Sequence, residues 1–108
     1  MALPVFLTND AARDLDELYD YITPHDAPQK AEYVLGQIER AFSRLSKLPE
    51  RGAHPKELLA LGIVEYREIF SKPYRIIYRV VDKNVYVLRI ADGRSDMQTL
   101  LQRRLLDA

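Results

Sequence analysis

The stretch from Tyr66 to Arg94, YREIFSKPYRIIYRVVDKNVYVLRIADGR, limits the possible folds more than any other part of this chain. It reads as three short strands. The first run is Val64 to Phe70, and Ser71-Lys72-Pro73 breaks it, because proline fixes φ and has no N–H to give to a ladder. The second run, Tyr74 to Val81, is rich in β-branched and aromatic residues. Asp82-Lys83-Asn84 is turn chemistry, and Val85 to Ala91 forms the third run. Turns this short join only antiparallel neighbours, so the stretch is a meander. Side chains alternate between faces with period two. One set of the second run is Tyr74, Ile76, Tyr78 and Val80; the other holds Arg75 and Arg79 with Ile77 and Val81. In the third run Tyr86, Leu88 and Ile90 alternate with Val85, Val87 and Arg89. Assigning the arginine-free sets to the core places Arg75, Arg79 and Arg89 together on the opposite face. Arg94 lies just beyond, and Arg67 is a further candidate of uncertain parity.

An apolar sheet face needs a cover, and the N-terminal half supplies one. Leu3 to Leu7 is a short strand, and Pro4 suits an edge. Thr8 or Asn9 then caps a helix that carries Ala11, Leu15, Leu18 and Ile22 at helical spacing and ends at Pro24. Asp26 and Gln29 have capping-box spacing and open a longer helix to about Leu48. Its apolar line is Ala31, Val34, Leu35, Ile38, Ala41, Phe42, Leu45 and Leu48, and Gly36 within it is expected to permit close packing against the first helix. The two helices form a hairpin whose apolar side covers the meander. In the loop from Pro49 to Gly62, Glu57-Leu58-Leu59-Ala60-Leu61 is expected to make one helical turn against the sheet end. Ser95 and Gln98 open a last helix near Asp96, with Met97, Leu100, Leu101 and Leu105 on one side. The expected order is β-α-α-β-β-β-α, an α+β fold in one domain spanning residues 1–108.

Composition narrows the chemistry. The chain has no cysteine, so disulfides and thiolate metal sites are excluded, which fits a reducing cytoplasm. Its start has no signal-peptide pattern, and no apolar run approaches the roughly 18 residues of a membrane span. Sixteen acids balance sixteen bases, but residues 1–39 hold eight acids and two bases, so the remainder is basic. That asymmetry reads either as a polyanion-binding side or as one acidic, solvated helix. His25 and His54 stand apart, and no metal or cofactor site is expected. Nor do Ser43, Ser46, Ser71 and Ser95 assemble a triad with those histidines, and no glycine-rich phosphate loop exists. The sharper signal is the arginine set, since guanidinium groups on rigid strands grip phosphate or carboxylate bidentately. The competing reading pairs them with Glu65, Glu68, Asp92 and Asp96.

The pattern Tyr74-Arg75-Ile76-Ile77-Tyr78-Arg79-Val80, then Val85-Tyr86-Val87-Leu88-Arg89-Ile90, then Gly93-Arg94-Ser95-Asp96 resembles the RelE/ParE toxins of bacterial toxin–antitoxin pairs. Ala12, Asp14-Leu15, Tyr21-Ile22, Leu48-Pro49, Gly52, Val64 and Arg67-Glu68 agree with it, so the resemblance spans nearly the whole chain. It implies a helical hairpin on a small antiparallel sheet and one of two activities. RelE-like members cleave mRNA on the ribosome with lysines, arginines and a late tyrosine or histidine. ParE-like members inhibit DNA gyrase. Carried onto this chain, the nuclease positions fall on Arg75, on Tyr66 and Glu68 where RelE has lysines, on Ser95, and near Leu101. Only Arg75 survives, and Glu68 brings negative charge where phosphate would sit. The resemblance therefore implies the ParE branch, with no catalytic residues. The residues themselves offer two candidate surfaces for such a target: the basic face of Arg67, Arg75, Arg79, Arg89 and Arg94, and a C-terminal interface of Met97, Leu100, Leu101 and Arg104, where basic and apolar side chains mix. A cognate antitoxin, a cytoplasmic location and no sequence-specific DNA binding by the chain itself are further implications of the resemblance. The alternatives are a ribosome-dependent endonuclease and an inactive binding module of the same fold.

Overall fold

The computed structural model describes residues 2–25 and 28–92. Its order is β1 (Val5–Leu7), α1 (Asn9–His25), α2 (Pro28–Lys47), α3 (Lys56–Leu59), β2 (Arg67–Ser71), β3 (Tyr74–Val81) and β4 (Asn84–Asp92). The strands form one sheet in the order β1-β4-β3-β2. β2, β3 and β4 are the expected antiparallel meander, while β1 lies parallel to β4 at the edge. The expected α+β architecture is thus present, with α1 and α2 packed on one sheet face. The last helix expected near Asp96, and the cap expected at Asp26, lie outside the described residues.

Local chemistry explains the joins. The Thr8 hydroxyl accepts the Ala11 N–H at 3.1 Å, so Thr8 caps α1. The same hydroxyl donates to the Leu88 carbonyl, and the Thr8 N–H bonds the Val87 carbonyl, which fixes the start of α1 against β4. Where β1 ends, Asp14 takes over the edge, accepting the Ile90 N–H at 3.0 Å. A strand edge is thereby closed by a helix side chain. Leu3 and the end of α2 hold each other through two bonds with Ser46, 2.8 and 2.7 Å long. Pro28 opens α2, a position where its missing N–H has no helical partner anyway. Asp82 and Lys83 make the β3–β4 turn, both at positive φ (52° and 65°), the twist a two-residue hairpin demands.

The core between helices and sheet contains Ala11, Ile38, Ala41, Leu45, Ile69, Ile76, Tyr78, Val85, Val87 and Ile90. Several expectations need correction here. In β4 the core residues are Val85 and Val87, not Tyr86 and Leu88. The reason is a bulge: Ile77 pairs with Arg89 but Tyr78 with Val87, so Leu88 is an extra residue that reverses the alternation. Ile90 therefore returns to the core on the far side of the bulge. Val80, one residue from the β3–β4 turn, is 39 % exposed. β2 begins at Arg67, three residues later than the apolar pattern suggests. α1 continues through Pro24 to His25 rather than ending at the proline. Gly36 is not a packing glycine, because a Cβ there would meet nothing within 4 Å.

A second, smaller core lies on the other face. Leu58 of α3, Tyr66, Ile77 and Ala91 are buried together, flanked by Ile63 and Leu88. The loop from Pro49 to Gly62 thus crosses to the outer face, and its helical turn forms where expected. The sheet is covered on both sides, fully by the hairpin and partly by α3.

Candidate functional site

The residues singled out for their charge do not share one environment. Arg75 is 7 % exposed, and both its neighbours are acids. Its Nε donates to Glu68 Oε1 at 2.7 Å, while Nη1 and Nη2 grip the two Glu57 oxygens at 2.8 and 2.9 Å. Glu68 stands beside Arg75 because Phe70 pairs with Arg75 and Ile77 with Glu68, which places both charged side chains on the outer face. Glu57 arrives from the first turn of α3. The Arg75 hydrogen bonds hold the Glu57 carboxyl down from 4.5 to about 2, against an opposing push from burial. The guanidinium is held correspondingly more firmly protonated, first by its bonds to Glu57.

Arg89 reaches α1, with Nη1 3.8 Å from Asp14 Oδ1. Its cleft, about 310 Å³, is also lined by Glu17, Tyr21, Tyr74 and Asp92, so carboxylates outnumber cations there. Arg67 does not join Arg75. It pairs with Tyr78 and so turns to the helix side, where Nη1 donates to the Gly52 carbonyl at 2.8 Å. Arg79 is exposed, and its guanidinium carbon lies 5.6 Å from the centre of the Tyr66 ring. The expected single basic face is therefore divided: Arg75 and Arg79 share the outer face, but Arg75 is neutralised there. Arg94, Met97, Leu100, Leu101 and Arg104 lie outside the described residues.

The loop that carries Glu57 is itself held by Tyr78. This side chain is fully buried, donates its hydroxyl to the Pro49 carbonyl at 2.8 Å and accepts the Gly52 N–H at 3.0 Å. Burial pushes the phenol pKa up. Gly52 fits only without a side chain, since a Cβ would stand 2.5 Å from the Glu68 carbonyl oxygen and 2.7 Å from the Tyr78 hydroxyl. His54 adds a contact of 3.0 Å from Nδ1 to the Tyr66 carbonyl. Among the described residues, no three His, Cys, Asp or Glu side chains gather in a way that would hold a metal ion. No described helix is long and apolar enough to cross a membrane.

The model of the ParE toxin of the type II toxin–antitoxin system parDE matches residues 5–97. The chain belongs to the ParE toxin family. Toxin ParE3 of Caulobacter vibrioides is 30 % identical over 100 residues, covering 93 % of this chain and 96 % of that protein. Among solved structures, a chain of the chromosomal ParDE system from P. aeruginosa is 25 % identical at a TM-score of 0.69, covering 84 % of this chain and 96 % of its own. A chain of the RelBE2 toxin–antitoxin complex from Mycobacterium tuberculosis is 27 % identical at a TM-score of 0.59, covering 85 % and 99 %. The likeness to E. coli toxin RelE, at 18 % identity and a TM-score of 0.61 over 95 % of this chain and 98 % of that one, is one of fold. Membership in the RelE/ParE superfamily of type II toxins is thus carried by sequence and by structure.

Sequence reasoning missed two carboxylates of this ParE-family chain. Glu57 and Asp14 were not among the acids expected to neutralise arginines, although Glu68 was. Both act across long sequence separations, and nothing near Arg75 or Arg89 in the chain marks them. The sequence marks Tyr66 only as a lost lysine position, yet its ring is what Arg79 rests on.

Proposed function

We propose that residues 1–108 act as a single toxin domain that inhibits DNA gyrase by protein–protein contact in the cytoplasm, and that a cognate antitoxin neutralises it. The observation that carries this reading over an RNA-cleaving one is the state of Arg75. Phosphodiester cleavage needs cations aimed at a phosphate and a group to move a proton. Here the one surviving cation of the nuclease pattern is buried between Glu57 and Glu68, with Nε, Nη1 and Nη2 each bonded to a carboxylate oxygen. α3 also lies across that part of the outer face, with Leu58 buried on Ile77. An RNA phosphate would have to displace a bidentate carboxylate and approach a second one. Gyrase contact asks for none of this, because the chemistry would be gyrase's own. The proposed contact residues include Arg79 and, beyond the described residues, Arg94, Met97, Leu100, Leu101 and Arg104.

The test is a supercoiling assay with purified gyrase, ATP and relaxed plasmid, followed by release of trapped cleaved DNA. The expected result is loss of supercoiling with accumulation of cleaved plasmid, relieved by the antitoxin that binds this chain. Unchanged supercoiling at large molar excess of folded protein, together with mRNA cleavage on added ribosomes, would replace the reading with the endonuclease alternative.

A further inference from the structure

The outer face carries one row of side chains that neither core absorbs. Phe6 on β1 pairs with Tyr86 on β4, and Tyr86 pairs with Arg79 on β3. Cross-strand partners share a face, and Val5, Leu7, Val85, Val87 and Tyr78 all belong to the helix side. Phe6, Tyr86 and Arg79 therefore stand together on the outer side. The Phe6 and Tyr86 rings stack with centres 5.7 Å apart. Arg79 continues the row onto Tyr66. Phe6 is 47 % exposed, unusual for a phenylalanine in a sheet whose other face is well filled.

Charge distinguishes Arg79 from its neighbours on the sheet. Arg75 has two carboxylates and Arg89 has Asp14, whereas among the described residues Arg79 has only the Tyr66 ring. Asp82, close to Arg79 in sequence, and Glu65, next to Tyr66, are both exposed, and neither is ion-paired with Arg79 among the described residues. A row of two aromatics and an arginine without a carboxylate has the composition of a protein hot spot. The group that complements such a guanidinium is a carboxylate.

We infer that Phe6, Tyr86 and Arg79 form the surface by which this chain grips its protein target, taking a segment in which an Asp or Glu is flanked by apolar residues. The acid meets the Arg79 guanidinium bidentately, and the apolar flank covers the stacked Phe6–Tyr86 pair. This rests on the gyrase reading above and assigns it a contact surface. A single-stranded nucleic acid is the less suitable occupant. Backbone binding needs several cations along a track, and the row offers one guanidinium, with the nearby Lys83 beside Asp82.

The experiment compares wild type with Arg79→Glu, Arg79→Lys and the double variant Phe6→Ser/Tyr86→Ser for binding to immobilised gyrase and for supercoiling inhibition. Tyr33→Ser serves as a control, since Tyr33 is 64 % exposed on α2, an element on the other side of the sheet. Thermal melts report folding of each variant. Arg79→Glu is expected to weaken gyrase binding by roughly ten-fold or more, as a central charged anchor does, with Arg79→Lys intermediate and Tyr33→Ser unchanged. Wild-type potency in folded Arg79→Glu would overturn the surface while leaving the gyrase reading intact. If wild type itself leaves gyrase untouched, the reading falls and the surface assignment falls with it. Retained gyrase inhibition with lost binding of a poly-uridine oligonucleotide in the same variants would overturn it in favour of a nucleic-acid surface. Should the double variant fail to fold, the two Arg79 substitutions at an exposed position still decide the matter.

Discussion

The two faces of the sheet are built by different physics. Toward the helices, Ile38, Leu45, Ile76, Val85 and Val87 are fully buried, and the one polar group among them, the Tyr78 hydroxyl, meets two backbone partners. Toward the outside, a four-residue apolar cluster is held down by a loop whose clamp is ionic, Glu57–Arg75–Glu68. The first face loses free energy smoothly as methylenes are removed. The second depends on a charge balance that fails abruptly when one member leaves. The difference teaches that an arginine-rich strand need not present a basic surface: one turn of helix with a glutamate converts the most conspicuous cation into internal scaffolding.

Four measurements would break or sharpen this contrast. The largest effect is expected from Arg75→Ala, which strands two carboxylates that are mostly buried; urea melts should show a loss of roughly 3–5 kcal/mol. Replacing all three members together with apolar residues of like volume should recover most of it, and a triple variant as unstable as the single would show that the charges themselves are not the issue. Ile76→Ala on the helix face should cost roughly 2–4 kcal/mol by the same melts, the ordinary price of a buried cavity. Tyr78→Phe should cost about 1–2 kcal/mol, because the Gly52 N–H is left without its acceptor. Amide exchange of Gly52 should accelerate while exchange in α2 stays slow.

The smallest effect is the acid dependence. Glu57 titrates at about 2 in the folded chain and at 4.5 when unperturbed. A depressed folded pKa means that the contribution is complete above 4.5 and is lost as pH falls from there toward 2. Solvent at the edge of the clamp screens it, so the loss should be on the order of 1 kcal/mol. Glu57→Gln, followed by denaturant melts across that range, should flatten this part of the pH profile. An unchanged profile in that variant would assign the acid sensitivity to other carboxylates.

Local chemistry made much of the fold legible. Alternation and Asp82-Lys83 mark β3 and β4 almost to the residue, Thr8 or Asn9 marks the start of α1, and Pro49 to Gly62 contains the turn that forms α3. The functional surface was less legible. Period two assumes an unbroken ladder, and the bulge at Leu88 moved Tyr86 from the expected core to the outer face. The arginines were recognised as special, but whether each is free or neutralised turns on acids contributed by α1 and α3.

The sequence by itself determined which of the described segments become helix and strand, that the meander must be antiparallel, and which family pattern the chain follows. These depend on neighbours within a few positions, where side-chain period and turn chemistry act. Tertiary structure alone decided that β1 runs parallel to β4, that Arg75 is buried while Arg79 is exposed, and that Phe6 meets Tyr86. Those outcomes join residues distant in the chain, and a one-residue bulge is enough to exchange the faces on which they meet.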